Sequence, residues 1–210
     1  MKMLCIDTSG KFCSISILLD NNIQESIDSE IPLSHSSELA VNVKKIIDKY
    51  NIEIVDLDCI VINIGPGSFT GLRIGVSFAK GLCLSNNIPL LPIHAFDIME
   101  TKIDDLRGTF FICIYSHKDY VYGLKYNNGK KDSMPKLIDL SNNFGVPMYI
   151  YGLKSGYAYK NNIIDVNFSS IELIEFGKEY FISECEGKDF NSIHPLNSIH
   201  PIYIDYINVE

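Results

Sequence analysis

Cys59-Ile60-Val61-Ile62-Asn63-Ile64-Gly65-Pro66-Gly67-Ser68-Phe69-Thr70-Gly71-Leu72-Arg73-Ile74-Gly75 is the stretch on which the reading of this chain turns. Cys59 to Ile64 reads as one apolar run, the mark of a strand buried on both faces. Gly65-Pro66-Gly67-Ser68 breaks it, and a helix is expected to follow to about Ser85. Glycines admit positive φ and close backbone approach, and a helix N-terminus offers unpaired N–H groups. Gly65, Gly67, Ser68 and Thr70 are therefore candidates for a phosphate or carboxylate seat. The same residues fit a tight strand-to-helix turn under a closely packed helix, and both readings stand. The loop has neither the Gly-Lys-Ser/Thr ending of a Walker loop nor the Gly-x-Ser-x-Gly of a nucleophile elbow.

Upstream, Met3 to Thr8 reads as a buried strand and Thr8-Ser9-Gly10-Lys11 as a turn. Phe12 to Leu19 alternates, with Cys13, Ile15, Ile17 and Leu19 on one face and Ser14 and Ser16 on the other. Ile23, Ile27 and Ile31 suggest a third strand, completing an antiparallel meander. Leu39, Val43, Ile46, Ile47 and Tyr50 then form one stripe of an amphipathic helix, with Ser34 or Ser36 as its N-cap. After the glycine loop and its helix come a short strand, Pro89 to Ile93, and a third helix from about His94. Three strands followed by alternating helices and strands predict an α/β fold with a mixed sheet covered by helices. That order opposes a dinucleotide-binding oxidoreductase, the class suggested by the loose G-x-G-x-x-x-G, because such a fold alternates strand and helix from its start.

Leu106-Arg107-Gly108 reads as a hinge, dividing the chain into an N-terminal lobe, 1–106, and a smaller C-terminal lobe, 107–210. In the second lobe strands are expected over Thr109–Ser116, Tyr120–Tyr126 and Pro147–Tyr151, then a helix from about Ile171. The tail Ile199 to Ile204 reads as an edge strand, since Pro201 cannot donate to a ladder. Beyond that tail no closing helix that returns to the first lobe is expected.

The 210 residues carry 18 Lys+Arg against 26 Asp+Glu, a formal charge of −8, and the arginines are Arg73 and Arg107 alone. Direct nucleic-acid binding leaves a basic footprint, so work on nucleic acid is expected to go through a partner. The six cysteines form no Cys-x-x-Cys pair and stand mostly in apolar runs, where they read as small buried hydrophobes. The start reaches Asp7 too soon for a signal peptide, and no run approaches a membrane span, which predicts a soluble cytoplasmic protein. His35, His94, His117, His194 and His200 show no metal-ligand spacing. Asp7, at a strand end beside Thr8 and Ser9, either satisfies its own turn or belongs to a phosphate or metal site; no second carboxylate in a comparable setting is evident.

Leu4-Cys5-Ile6-Asp7-Thr8-Ser9, His35-Ser36-Ser37-Glu38-Leu39 and the glycine motif together resemble the TsaB (YeaZ) family, bacterial proteins needed for threonylcarbamoyladenosine in tRNAs that read codons beginning with A. The resemblance implies an actin-like ATPase (ribonuclease H-like) fold of two related lobes, with Asp7 and Thr8 beside the nucleotide corner. It implies as partners the catalytic paralogue TsaD and the ATPase TsaE, tRNA met only through the complex, and a homodimer when the chain is alone. It implies no cofactor of the chain's own, ATP and a divalent metal belonging to the wider complex. The paralogue carries a His-x-x-x-His metal site at the start of the third helix, and those positions fall here on Ala95 and Met99. That argues for a non-catalytic member, the alternative being an actin-fold ATPase or metalloenzyme acting alone. The match thins in the second lobe, where Tyr115-Ser116-His117-Lys118 replaces the family's Asp-Ala-Arg-like segment.

The second helix is apolar around most of its circumference, and Gly71, Gly75 and Ala79 form a strip of small residues. A partner interface is therefore expected over His35, Leu39, Val43 and Ile47 of the first helix and Gly71, Gly75, Phe78, Ala79 and Leu82 of the second. On that reading Gly75→Leu leaves the monomer folded and weakens pairing.

Overall fold

The protein is described by a computed structural model over residues 1–30, 35–142, 144–153, 162–185 and 193–204. Its helices are α1 (His35–Tyr50), α2 (Phe69–Asn86), α3 (Ala95–Thr101) and α4 (Ser170–Tyr180). The chain divides into two compact units, Met1–His94 with Ser169–Pro201, and Ala95–Phe168 with the tail from Ile202. Expected at 106/107, the boundary instead falls at His94/Ala95, because α3 buries its apolar side in the second unit.

The first unit is built on β1 (Met3–Asp7), β2 (Phe12–Leu19), β3 (Asn22–Glu30), β4 (Cys59–Gly65) and β5 (Leu90–His94), in the spatial order β3-β2-β1-β4-β5. β1, β2 and β3 form the antiparallel meander, and β4 and β5 add in parallel. Every residue of β1 and β4 is buried, as their mainly apolar runs require. Gly75 of α2 approaches Ile62, while Gly177 of α4 approaches Val61. Adjacent strand residues point to opposite faces, so α2 and α4 cover opposite sides of the sheet.

α4 was placed in the second lobe by its position in the sequence, yet it packs on β1 and β2 of the first unit. Its seat explains the serines of β2, which the alternation put on a polar face. Ser14 and Ser16 are 4% and 0% exposed, because the N-terminus of α4 covers them. Ser170 N–H donates to Ser14 Oγ at 2.8 Å, Ser16 Oγ donates to Ser170 O at 2.8 Å, and Ser14 Oγ also donates to Asp28. Ser169 caps the helix in a reciprocal box with Glu172.

The second unit repeats the topology. β6 (Thr109–His117), β7 (Tyr120–Asn127) and β9 (Lys136–Asp139) form a meander, and β10 (Met148–Tyr151) and β11 (Ile163–Val166) extend β6 in parallel, with the two-residue β8 (Lys130–Lys131) also on β7. Phe111, Cys113, Val121, Ile138 and Ile150 pack on one face. On α3, Ala95, Phe96, Ile98 and Met99 are buried, and Tyr126 Oη donates to Glu100 at 3.0 Å. Residues 199–204 form no strand, contrary to expectation. Among the described residues no helix is long and apolar enough to cross a membrane.

Candidate functional site

The glycine loop meets the β1–β2 turn at the C-terminal ends of β1 and β4. Gly65 adopts φ +101°, a conformation that favours glycine, and turns the chain out of β4. Ser68 caps α2, its Oγ accepting from Gly71 N–H at 3.2 Å. Asp7, Thr8 and Ser9 are all buried at 3% exposure or less. Asp7 Oδ1 accepts from Ser9 N–H at 2.8 Å and from Asn63 Nδ2 at 3.2 Å. Asn63 also donates to Ser9 Oγ at 2.9 Å and accepts from Gly65 N–H at 2.8 Å. Asp7 Oδ2 is buried and has no hydrogen-bond partner. Burial lifts the Asp7 carboxyl above its ordinary value; the bonds from Ser9 and Asn63 oppose this, and the charge on Asp28 adds to it.

Asp7, Thr8, Gly65, Gly67 and Ser68 thus converge on one corner, while Thr70 is exposed on α2. Ser68 N–H donates to Ser9 O at 2.7 Å, and a Cβ on Gly67 would lie 2.6 Å from that same oxygen. The glycines let α2 close on the turn: Cβ atoms on Gly71 and Gly75 would lie 2.0 Å from Thr8 O and 2.2 Å from Thr8 Oγ1. The arrangement fits the tight-turn reading.

Asn63 joins the corner although the sequence reading did not single it out. Its signal was there, a lone amide inside the apolar run Cys59 to Ile64. Asp28 is a second carboxylate on the same face as Asp7, one strand beyond Ser14, and only the register of the meander reveals it.

The expected interface residues fare unevenly. Ile47, Phe78 and Leu82 are half-buried on α1 and α2, and the side chain of His35 lies outside the described residues. Leu39, Val43 and Ala79 are buried in the unit's own core, and Gly71 and Gly75 face Thr8. The small-residue strip therefore serves the chain's own sheet. Leucine at Gly75 has no room beside Thr8 and Ile62, so the expectation of an intact Gly75→Leu monomer is corrected. Exposed apolar side chains lie elsewhere on these helices: Val41 (49%), Phe69 (54%) and Leu84 (76%), with Arg73 stacked 3.8 Å over the Phe69 ring.

Among the described residues no group of three or more His, Cys, Asp and Glu is placed to hold a metal ion. Burial pushes the thiols of Cys13 and Cys83 up to about 12, far from a reactive thiolate at neutral pH.

The sequence pattern of the family described as "TsaD: tRNA N6-adenosine threonylcarbamoyltransferase" matches residues 29–147. The "tRNA threonylcarbamoyladenosine biosynthesis protein TsaB" of Escherichia coli K12 is 30% identical over 99 residues, covering 47% of this chain and 42% of the relative. The protein of that name from Buchnera aphidicola subsp. Baizongia pistaciae is 36% identical over 128 residues, covering 60% and 58%. These matches span about half the length of the curated relatives. The solved structure of YeaZ from Pseudomonas aeruginosa superposes with a TM-score of 0.70 over 97% of this chain and 99% of that one, at 19% identity, and so supports the fold.

Proposed function

Because the chain belongs to the TsaD family and, within it, to the TsaB (YeaZ) group, we propose that it acts in threonylcarbamoyladenosine biosynthesis as a non-catalytic partner that activates the catalytic paralogue TsaD. The observation that carries the non-catalytic part is the state of α3. Ala95 and Met99 stand where the paralogue's metal-binding histidines belong, and both side chains are fully buried in packing. Neither can bind a metal as imidazole does. The corner at Asp7 adds support, since Ser68 N–H is already bonded to Ser9 O. ATP and the divalent metal are assigned to the other subunits, TsaD and TsaE, and tRNA to the assembled complex. The net charge of −8 supports that assignment, because phosphate contacts dominate nucleic-acid affinity.

The exposed side of α1 and α2 is the surface we assign to pairing. Val41, Phe69 and Leu84 are exposed on these helices and Ile74, Phe78 and Leu82 are half-buried, apolar side chains of the kind that interaction sites use. When the paralogue is absent, the same face pairs with a second copy.

Reconstitution tests the reading: tRNA modification by TsaD and TsaE is measured with and without this chain. The chain alone is expected to be inactive and to raise the rate when added. Steady ATP turnover by the chain alone, lost in Asp7→Asn, would instead favour an actin-fold ATPase acting alone.

A further inference from the structure

We infer that Thr8 is a positioning residue that pins α2 at one height along its axis and so sets the outer face used for pairing; this rests on the reading of that face given above. Thr8 is fully buried, and its Oγ1 donates to the carbonyl of Gly71 at 2.7 Å. Gly71 and Gly75 lie one turn apart on the same side of α2, and both seat on Thr8, at its carbonyl and at its hydroxyl. Gly67, just before the helix, seats on the carbonyl of Ser9, which also accepts Ser68 N–H. Two consecutive residues of the β1–β2 turn thus hold the loop and the first two turns of α2.

This contact differs in kind from the rest of the packing on α2. Apolar side chains such as Leu72 and Val76 tolerate small shifts against their neighbours. A buried hydroxyl bonded to one helix carbonyl, in a slot that admits no Cβ, does not. Sliding α2 by one residue, about 1.5 Å, would bring a side chain onto Thr8 and break the bond. The exposed Arg73 and Ser77 and the half-buried Phe78 inherit their place from this contact. It also explains why the small-residue strip faces inward: it fixes where the outer face stands and does not itself touch the partner.

The test measures affinity for the catalytic paralogue by titration calorimetry, well below the melting temperature of each variant. Thr8→Val keeps the shape and removes the hydroxyl; a loss of about three- to tenfold in affinity is expected, the range of one hydrogen bond. Thr8→Ser keeps the hydroxyl and is expected to retain wild-type affinity. If Thr8→Val does not fold, Thr8→Ala with Gly75→Ala fills the slot from the helix side without the pin, and the same loss is expected. Ser77→Arg, on the exposed face, reports on the face itself. Weakening by Ser77→Arg with wild-type affinity in the folded Thr8 variant overturns the role of Thr8 and leaves the pairing reading standing. Wild-type affinity in both overturns the assignment of the face.

Discussion

Asp7 combines near-complete burial with one oxygen well bonded and the other unpartnered, so its charge is the costly state. Burial raises its folded-state value above the ordinary 3.8. A carboxyl raised on folding favours the folded state while protonated, and that contribution is lost as pH climbs from the unfolded value through the folded one. Asp7→Asn removes the dependence. The melting temperature of the Asn variant relative to wild type is therefore expected to be more favourable near about pH 7 than near about pH 4. An equal difference at the two pH values would show that Asp7 ionises in the fold without penalty. Gly67 makes a second residue-scale prediction. At Gly67 the structure shows close backbone contact, with positive φ falling to Gly65. Gly67→Ala must push Ser9 aside and is expected to cost about 1–3 kcal/mol, read from denaturant melts. An unchanged midpoint would mean the turn yields freely.

Helix α4 shows why elements are easier to find than to place. Its periodicity and its cap, Ser169 with Glu172, are local and legible. Its docking partner lies about 150 residues away in sequence, and Ser14 and Ser16 alternate like residues facing water; no local rule distinguishes a serine covered by a helix end from one that is solvated. The same limit applied to α2, whose glycines were legible as a close-approach strip although what approached them was not. Asn63 and Asp28 escaped notice for a related reason, since strand register, not spacing, brings Asn63 beside Asp7 and puts Asp28 on the same face. The latch of α4 is testable at this scale. Ser170→Ala removes the hydroxyl near Ser14 and Ser26 and keeps the backbone bond, so a loss of about 0.5–1.5 kcal/mol is expected. Amide exchange should quicken across α4 while α1 keeps its protection. Uniform quickening over the whole unit would show that α4 does not open on its own.

For the molecule as a whole, the two units share one strand order, and the face proposed for pairing lies on the first. The mixed sheet and its meander were legible throughout the first unit, where strand runs are long and turns are marked by Gly and Asn. The second unit was less so, because β9 and β11 are four residues each and carry no strong alternation. If one face serves both a second copy and the paralogue, the two must compete. A homodimer through that face is isologous, so a residue near its axis meets its own copy. Val41, 49% exposed on α1, is suited to test this. Val41→Arg lies at the surface and should change stability by no more than about 0.5 kcal/mol. Near the axis it sets two guanidinium groups close together. Sedimentation is expected to show the variant as a monomer where wild type dimerises, and wild-type homodimer is expected to disappear as paralogue is added. A larger species containing the intact homodimer and the paralogue together would mean that pairing with the paralogue uses a different surface.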